Sequence, residues 1–98
     1  MSILRAALLT LAATPALADD PVVLVQSTTS TQNSGLYAHI LPVASEALGL
    51  DIRVVAVGTG QALGNAQRCD GDMLITHARA AEEAFVAAGY GTARHDLM

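Results

Sequence analysis

Three short apolar runs alternate with three longer segments of helical periodicity, and this alternation constrains the fold more than any other feature. The apolar runs are PVVLV at 21–25, DIRVVAV at 51–57 and DMLIT at 72–76. Runs of this length, bounded by polar residues, predict strands that are covered on both faces. Because strands that alternate with helices pair in parallel through right-handed crossovers, the sequence predicts an α/β fold of βαβαβα order, with helices on the faces of a parallel sheet.

Helical periodicity predicts three helices, over 34–49, 59–69 and 78–89. Asn33 or Ser34 is the expected N-cap of the first helix and Thr59 that of the second, because their side-chain oxygens can accept bonds from the free N–H groups of a first turn. Pro42 is expected to bend or split the first helix, since it lacks an N–H group. The expected end points are the two glycines that close the first and third helical segments, Gly49 and Gly89.

The composition suits one small folded unit and excludes several classes of protein. Of the 98 residues, 52% are hydrophobic and 14% are charged, which rules out a disordered polar chain. The five cationic residues are all arginine and stand singly in a chain of formal net charge -4, so no basic stripe exists for nucleic acid. The three histidines and the single cysteine lack zinc-ligand spacing, so we expect neither a metal site nor a cofactor.

The first 18 residues have the pattern of an export signal. Arg5 precedes an apolar stretch over 6–13, and Ala16-Leu17-Ala18 carries small residues where signal peptidase cuts. That stretch is too short to span a bilayer, which takes about 20 residues, so we expect no membrane-spanning segment. We expect cleavage after Ala18, so that residues 1–18 are a signal peptide and the exported chain begins at Asp19.

Hydroxyl and glycine residues follow each predicted strand. Ser27 to Thr31 form a hydroxyl run after the first strand, GTGQ at 58–61 follows the second, and THA at 76–78 follows the third. The carboxyl ends of parallel strands meet at one edge of a sheet, where ligands bind. Backbone N–H groups at helix N-termini, joined by Ser and Thr hydroxyls, can hold an anion without a cation. The sequence therefore predicts a small-oxyanion site at this edge.

Spacing alone leaves other interpretations of these residues open. Hydroxyl runs also serve as ordinary caps and turns, and the GTG turn could simply connect a strand to a helix. It is not a dinucleotide fingerprint, because Gly64 comes one residue late. His77 could be a loop histidine, and the adjacent Glu82 and Glu83 suit a solvated helix face. A serine nucleophile would need a base in reach, and no G-x-S-x-G elbow or Ser-Asp-His series is present, so we predict no enzyme.

Three motifs in order resemble the periplasmic tungstate-binding proteins that serve ABC transporters. They are STTSTQNSGL at 27–36, VVAVGTGQALG at 54–64 and GDMLITHARAAEEAFVAAGYGTARHDLM at 71–98. The resemblance covers nearly all of 22–98. It implies a lobe of the type II periplasmic binding protein fold, a periplasmic location, tungstate or a similar oxyanion as ligand, and an ABC transporter permease as partner.

The resemblance also implies roles for individual residues. The family's Thr-Thr-Thr-Ser run falls on 27–30, where Ser27 keeps a hydroxyl in place of the first threonine. Thr76 stands where the family usually has valine, and the histidine after it could orient its loop or contact the ligand. The oxyanion-binding residues implied by the resemblance are Ser27, Thr28, Thr29, Ser30, Thr59, Gly60 and His77.

The length of the chain departs from the family, whose members have two lobes. We expect 19–98 to be the N-terminal part of the first lobe of a truncated solute-binding domain, without the second lobe and its implied arginine. Such a chain is expected to bind its oxyanion weakly or not at all by itself. Other possibilities remain open: a receptor for molybdate, phosphate or sulfate, a nonfunctional fragment, or a small interaction module complete at this length, which would need protected sheet edges.

Overall fold

A parallel three-stranded sheet with strand order β2-β1-β3 lies at the centre of the computed structural model, which describes residues 19–97. The predicted signal peptide at 1–18 lies outside the described residues. Along the chain the elements are β1 (Val22–Thr28), α1 (Thr29–Asn33), α2 (Leu36–Leu48), β2 (Asp51–Val57), α3 (Thr59–Gln67), β3 (Met73–Leu74) and α4 (Arg79–Ala87).

Strand β1 is the central strand and pairs in parallel with both neighbours. Its register with β2 runs from Val22 opposite Asp51 to Thr28 opposite Val57, and Val25 lies opposite Met73 of β3. Because β1 lies between the other two strands, the loop after it lies between the loops after β2 and β3. Within 19–97, no helix is both long enough and apolar enough to span a bilayer.

The buried residues cluster around β1. Side chains with almost no exposure come from the second half of this strand and from the helices packed on it: Val25, Gln26, Ser27, Thr28, Tyr37 and Ala62. Polar residues make up half of this set, and each of the three on β1 is hydrogen-bonded. The Gln26 side chain, for example, donates to Asp70 O at 2.6 Å and accepts from the Asn65 amide at 3.1 Å. The centre of the sheet therefore depends on hydrogen bonding as much as on apolar contact.

The predicted α/β order is confirmed, with two differences in strand length. The first strand continues three residues beyond its predicted end at Val25, because Ser27 and Thr28 pair with β2. The third strand covers only Met73–Leu74 of the predicted 72–76, although Asp72 N donates to Leu24 O and Ile75 N to Gln26 O on either side of it. The hydroxyl run is therefore divided between a buried strand end and the short helix α1.

Pro42 does not split its helix, contrary to the alternative that the sequence suggested. Helix α2 runs continuously from Leu36 to Leu48 with Pro42 inside it. Both Pro42 and Ala38, whose carbonyl would otherwise accept the missing bond, are exposed, so water can satisfy that carbonyl. The break in the predicted 34–49 segment falls instead at Gly35, which has a left-handed φ of 87°.

The predicted helix ends are confirmed and the predicted N-caps are wrong. Gly49 ends α2 with φ 64°, and Gly89 follows α4 with φ 90°. Gly35 precedes α2 where Asn33 or Ser34 was expected, although the Ser34 hydroxyl does accept a bond from Leu36 N at 3.3 Å. Thr59 is the first residue of α3 rather than its cap, because the extended backbone ends one residue earlier, at Gly58.

The two glycines Gly35 and Gly64 provide a matched test of these backbone conformations. Gly35→Ala forces a side chain into the left-handed region and should lower the free energy of unfolding by about 1 kcal/mol. Gly64→Ala should raise it by about 0.5 to 1 kcal/mol, because Gly64 is inside α3 and its added Cβ would meet only Arg68 Nη1, at 3.6 Å. Urea unfolding measures both values, and changes of the same sign would contradict this account.

Candidate functional site

The loops after the three strands bring the predicted site residues to one edge of the sheet. Two contacts join the first loop to the third: Ser30 Oγ lies 3.0 Å from His77 Nε2, and the Ser27 hydroxyl donates to Ile75 O at 2.8 Å. The second loop begins after Val57, the residue opposite Thr28 in the ladder. Among the described residues, no side-chain hydrogen bond joins Thr59 to the other two loops. The structure thus connects the first and third loops directly and the second only through the sheet.

Ser27 and Thr28 are buried and make their hydrogen bonds inside the protein. The Ser27 hydroxyl is 2.6 Å from the Tyr37 hydroxyl in addition to its bond with Ile75 O. Thr28 caps α1, since its Oγ1 accepts from Thr31 N at 3.3 Å and lies 2.8 Å from Thr31 Oγ1. Both residues belong to the hydroxyl run that the sequence singled out. In this conformation their hydroxyls hold the loop in place.

Thr29, Ser30 and His77 are exposed at the same edge. Ser30 is bonded to His77 and lies 3.3 Å from Thr28 Oγ1, whereas Thr29 makes no side-chain hydrogen bond to any residue of 19–97. The five residues of α1, TSTQN, carry no charge. The donors presented here are therefore neutral hydroxyls and one imidazole.

Thr59 and Gly60 open α3 at the end of β2. The first helical hydrogen bond runs from Ala62 N to Gly58 O at 2.8 Å, so the N–H groups of Thr59, Gly60 and Gln61 precede the helical ladder. An added Cβ at Gly60 would meet nothing within 4 Å, which leaves open space beside this backbone. Since α3, TGQALGNAQ, also has no charged residue, its N-terminus offers N–H donors with only the partial positive charge of the helix.

The predicted residues do not share one closed cavity. A cleft of about 1080 Å³ lies beside the third loop, with Thr31 and His77 among its lining residues and the rings of Phe85 and Tyr90 on its wall. None of the other six predicted residues lines it. The candidate site is an open edge of the sheet, not an enclosed pocket. Within the part of the chain that the structure describes, no three His, Cys, Asp or Glu side chains are grouped to hold a metal ion.

A hydrogen-bonded carboxylate beside the third loop was not predicted from the sequence. Glu82 Oε2 accepts from Thr76 Oγ1 at 2.5 Å and from Ala78 N at 2.9 Å, and Glu82 Oε1 accepts from Arg94 Nε at 2.9 Å. Arg94 also pairs with Asp96 at 2.7 Å. The Glu82 side chain is only 15% exposed, so assigning it to a solvated face was wrong. The spacing of residues in the sequence does not predict the pairing of Glu82 with Arg94, because Arg94 lies beyond the end of α4 and reaches back to it.

The neighbours of Glu82 decide its charge state. Burial raises the pKa of the Glu82 carboxyl, but the hydrogen bonds from Thr76 and Ala78 and the guanidinium of Arg94 together outweigh burial and lower that pKa below its usual range. Glu82 is therefore an anion that already accepts the N–H of the residue preceding α4. Because the Ala78 N–H is already bonded to Glu82, the third loop can offer His77, but not the Ala78 N–H, to an external anion.

A substitution at Ser27 tests whether its hydroxyl is structural. Ser27→Ala should lower the free energy of unfolding by about 1 to 3 kcal/mol, because the Tyr37 hydroxyl and Ile75 O would lose a buried partner. Thr29→Ala, at an exposed position of the same run, is the matched control and should change it by less than about 0.5 kcal/mol. Chemical denaturation that found equal losses would contradict the buried role of Ser27.

Glu82 and its neighbour Glu83 form a second matched pair. Glu82→Gln should cost about 1 to 3 kcal/mol of stability at neutral pH, since a charged acceptor of three bonds is lost. Glu83, which is 58% exposed and 3.7 Å from Arg79, should tolerate the same change within about 0.5 kcal/mol.

The acid dependence of stability gives Glu82 a separate signature. Because folding lowers its pKa, its contribution is present above the unfolded value of about 4.3 and is lost as the pH falls through the lower folded value. Urea unfolding between neutral and acid pH should show a weaker loss in Glu82→Gln than in the unmodified chain. An identical acid loss in both proteins would contradict the assignment.

Comparison with known proteins places this arrangement in a family. The family profile described as a PBP superfamily domain matches residues 15–98. The tungstate-binding protein TupA of Peptoclostridium acidaminophilum is 47% identical over 76 residues, which are 78% of this chain and 27% of that protein.

Two solved structures match the fold as well as the sequence. The tungstate-binding protein TupA from Desulfovibrio alaskensis G20 matches with a TM-score of 0.74 and 50% identity, over 76% of this chain and 30% of that one. The tungstate ABC transporter structure from Geobacter sulfurreducens matches with a TM-score of 0.67 and 43% identity, over 69% and 29%. The chain thus spans less than a third of each of these relatives. Its parallel βαβαβα sheet and the match over 15–98 together show that the chain belongs to the PBP superfamily.

Proposed function

We propose that this chain carries the first-lobe oxyanion-binding loops of a periplasmic substrate-binding protein that delivers tungstate to an ABC importer. The observation that carries the proposal is the meeting of hydroxyl and backbone N–H donors at the carboxyl edge of the sheet, on two helices without a charged residue. Relatives named as tungstate-binding proteins share this part of the chain at 47% and 50% identity. The role is binding and not catalysis.

The donors divide into those that contact the anion and those that support them. Thr29, Ser30 and His77 on one side, and the Thr59 hydroxyl with Gly60 N–H on the other, are the proposed contacts, because they are at the open edge. Ser27 and Thr28 carry the buried hydroxyls of the run. We propose that these two hydroxyls fix the position of the first loop without contacting the anion. A dehydrated oxyanion bound by neutral donors and partial helix charge needs no cation on these two helices.

Affinity is proposed to depend on parts of the relatives that this chain does not match. The chain spans 27% to 30% of those proteins, so donors from the remaining part would complete the site. Two or three charge-assisted hydrogen bonds contribute about 3 to 9 kcal/mol, or about two to six orders of magnitude in affinity. By itself the chain is expected to bind weakly.

Titration calorimetry tests this proposal on two proteins. One is the 98-residue chain, and the other is a chimera in which the chain replaces the matching segment of TupA from Peptoclostridium acidaminophilum. Tight tungstate binding is expected in the chimera, and weak or undetectable binding in the chain. Absence of tungstate binding in both would refute the proposal, and tight binding by the chain alone would refute the dependence on a second part.

Variants of the chimera test the individual contacts. Thr59→Ala should weaken tungstate binding about tenfold, the effect of one lost hydrogen bond to a charged group. The matched control is Ser45→Ala, because Ser45 is near Asp51 at the opposite end of the sheet and should leave affinity unchanged. Equal effects of both changes would contradict the location of the site.

A receptor for another oxyanion is the alternative to tungstate. Hydroxyl and amide donors do not by themselves distinguish tetrahedral dianions, so molybdate, sulfate and phosphate would meet the same groups. Competition titrations of the chimera with these three anions decide between them. Preference for any of the three over tungstate would keep the proposed site and change its ligand.

A further inference from the structure

The contact between Ser30 and His77 limits what the Ser30 hydroxyl can do. Ser30 Oγ is 3.0 Å from His77 Nε2 and 3.3 Å from Thr28 Oγ1. A hydroxyl has one proton to donate and two lone pairs that accept. If Nε2 is unprotonated, Ser30 must donate its proton to keep this bond, and that proton is then withheld from a ligand. If Nε2 carries a proton, it donates to Ser30, and the hydroxyl proton can then be donated to a ligand or to Thr28 Oγ1.

We propose that the protonation state of His77 sets the direction of this hydrogen bond and thereby regulates oxyanion affinity. This inference rests on the proposed function. A protonated His77 donates to Ser30, turns the Ser30 proton toward the anion and adds a positive charge at an edge where α1 and α3 carry none. A neutral His77 with an unprotonated Nε2 reverses the bond and lowers the number of donors. Besides its proposed contact with the anion, His77 thus positions the proton of Ser30.

The charged groups around His77 pair mostly with one another. Neither α1, which holds Ser30, nor α3 contributes a charged side chain. The groups on α4 are Arg79, Glu82 and Glu83, and those on the segment after it are Arg94, His95 and Asp96. Asp72, just before β3, lines the same cleft as His77 and accepts from Leu24 N at 2.9 Å. Arg79 lies 3.7 Å from Glu83, and Arg94 bridges Glu82 and Asp96. With these charges paired, His77 and His95 are the two imidazole side chains of this region.

Nitrogen-15 NMR on the 98-residue chain measures the state of the imidazole directly. At about pH 8.5 the proposal requires a neutral ring with its proton on Nδ1 and an unprotonated Nε2. A protonated Nε2 at that pH would mean that Ser30 keeps its proton free throughout, which would overturn the inference. This readout does not depend on any anion.

Tungstate titration followed by NMR shifts, on the chain and on the chimera, measures the consequence. Affinity should fall about five- to tenfold from about pH 6.5 to pH 8.5, the effect of one donor lost to the anion. His77→Gln presents an amide donor that does not titrate and should remove this pH dependence while keeping binding. Ser30→Ala should weaken binding and reduce this pH dependence to the part that comes from the positive charge of His77.

His95→Gln is the matched control, because it removes a histidine from the same region without touching Ser30. It should keep the full pH dependence, and its loss in this variant would assign the effect to His95 and overturn the inference. Binding by the unmodified proteins that does not change with pH would overturn the role of His77 and leave the proposed function standing. If neither protein binds tungstate at either pH, the proposed function itself fails, and the inference fails with it.

Discussion

The hydroxyl group of Ser27 ties three elements together at the carboxyl end of the sheet. It is on the central strand, bonds to Tyr37 of α2 at 2.6 Å and to the main chain at Ile75 after β3 at 2.8 Å. Because the group is fully buried, these bonds are made without competition from water. The position of the first loop relative to the third follows from them, and so does the contact between Ser30 and His77.

A charged network complements this neutral one on the far side of the third loop. Glu82 accepts bonds from Thr76 and from Ala78 N, and Arg94 compensates its charge. The loop that carries His77 is therefore held at both of its ends, by Ile75 O and by the residues before α4. Under the proposed function, an anion at this edge would meet a histidine in a constrained position, while Arg94 compensates the negative charge of Glu82. This separation would let an acidic chain present a local site for an anion.

Several parts of the fold could be predicted because they depend on local chemistry. The three strands follow from β-branched apolar runs, and Gly49 and Gly89 end their helices because glycine accepts a positive φ. Other parts could not. Pro42 is tolerated because its turn of α2 is exposed, and the helical segment is interrupted at Gly35 instead. Both outcomes depend on which face of the helix packs against the sheet. Thr59 enters α3 because the extended backbone ends at Gly58, which takes the N-cap position.

The sequence by itself determined the βαβαβα order, the family resemblance and the presence of hydroxyl donors after each strand, because these are properties of residue type and spacing. Only the tertiary structure decided how those donors divide. Within one run, Ser27 and Thr28 face the interior and Thr29 and Ser30 face solvent, because the strand ends and α1 begins between them. Whether a hydroxyl is available to a ligand depends on its nearest partner. Those partners, Tyr37, Ile75 and His77, come from 10 to 48 residues away along the chain.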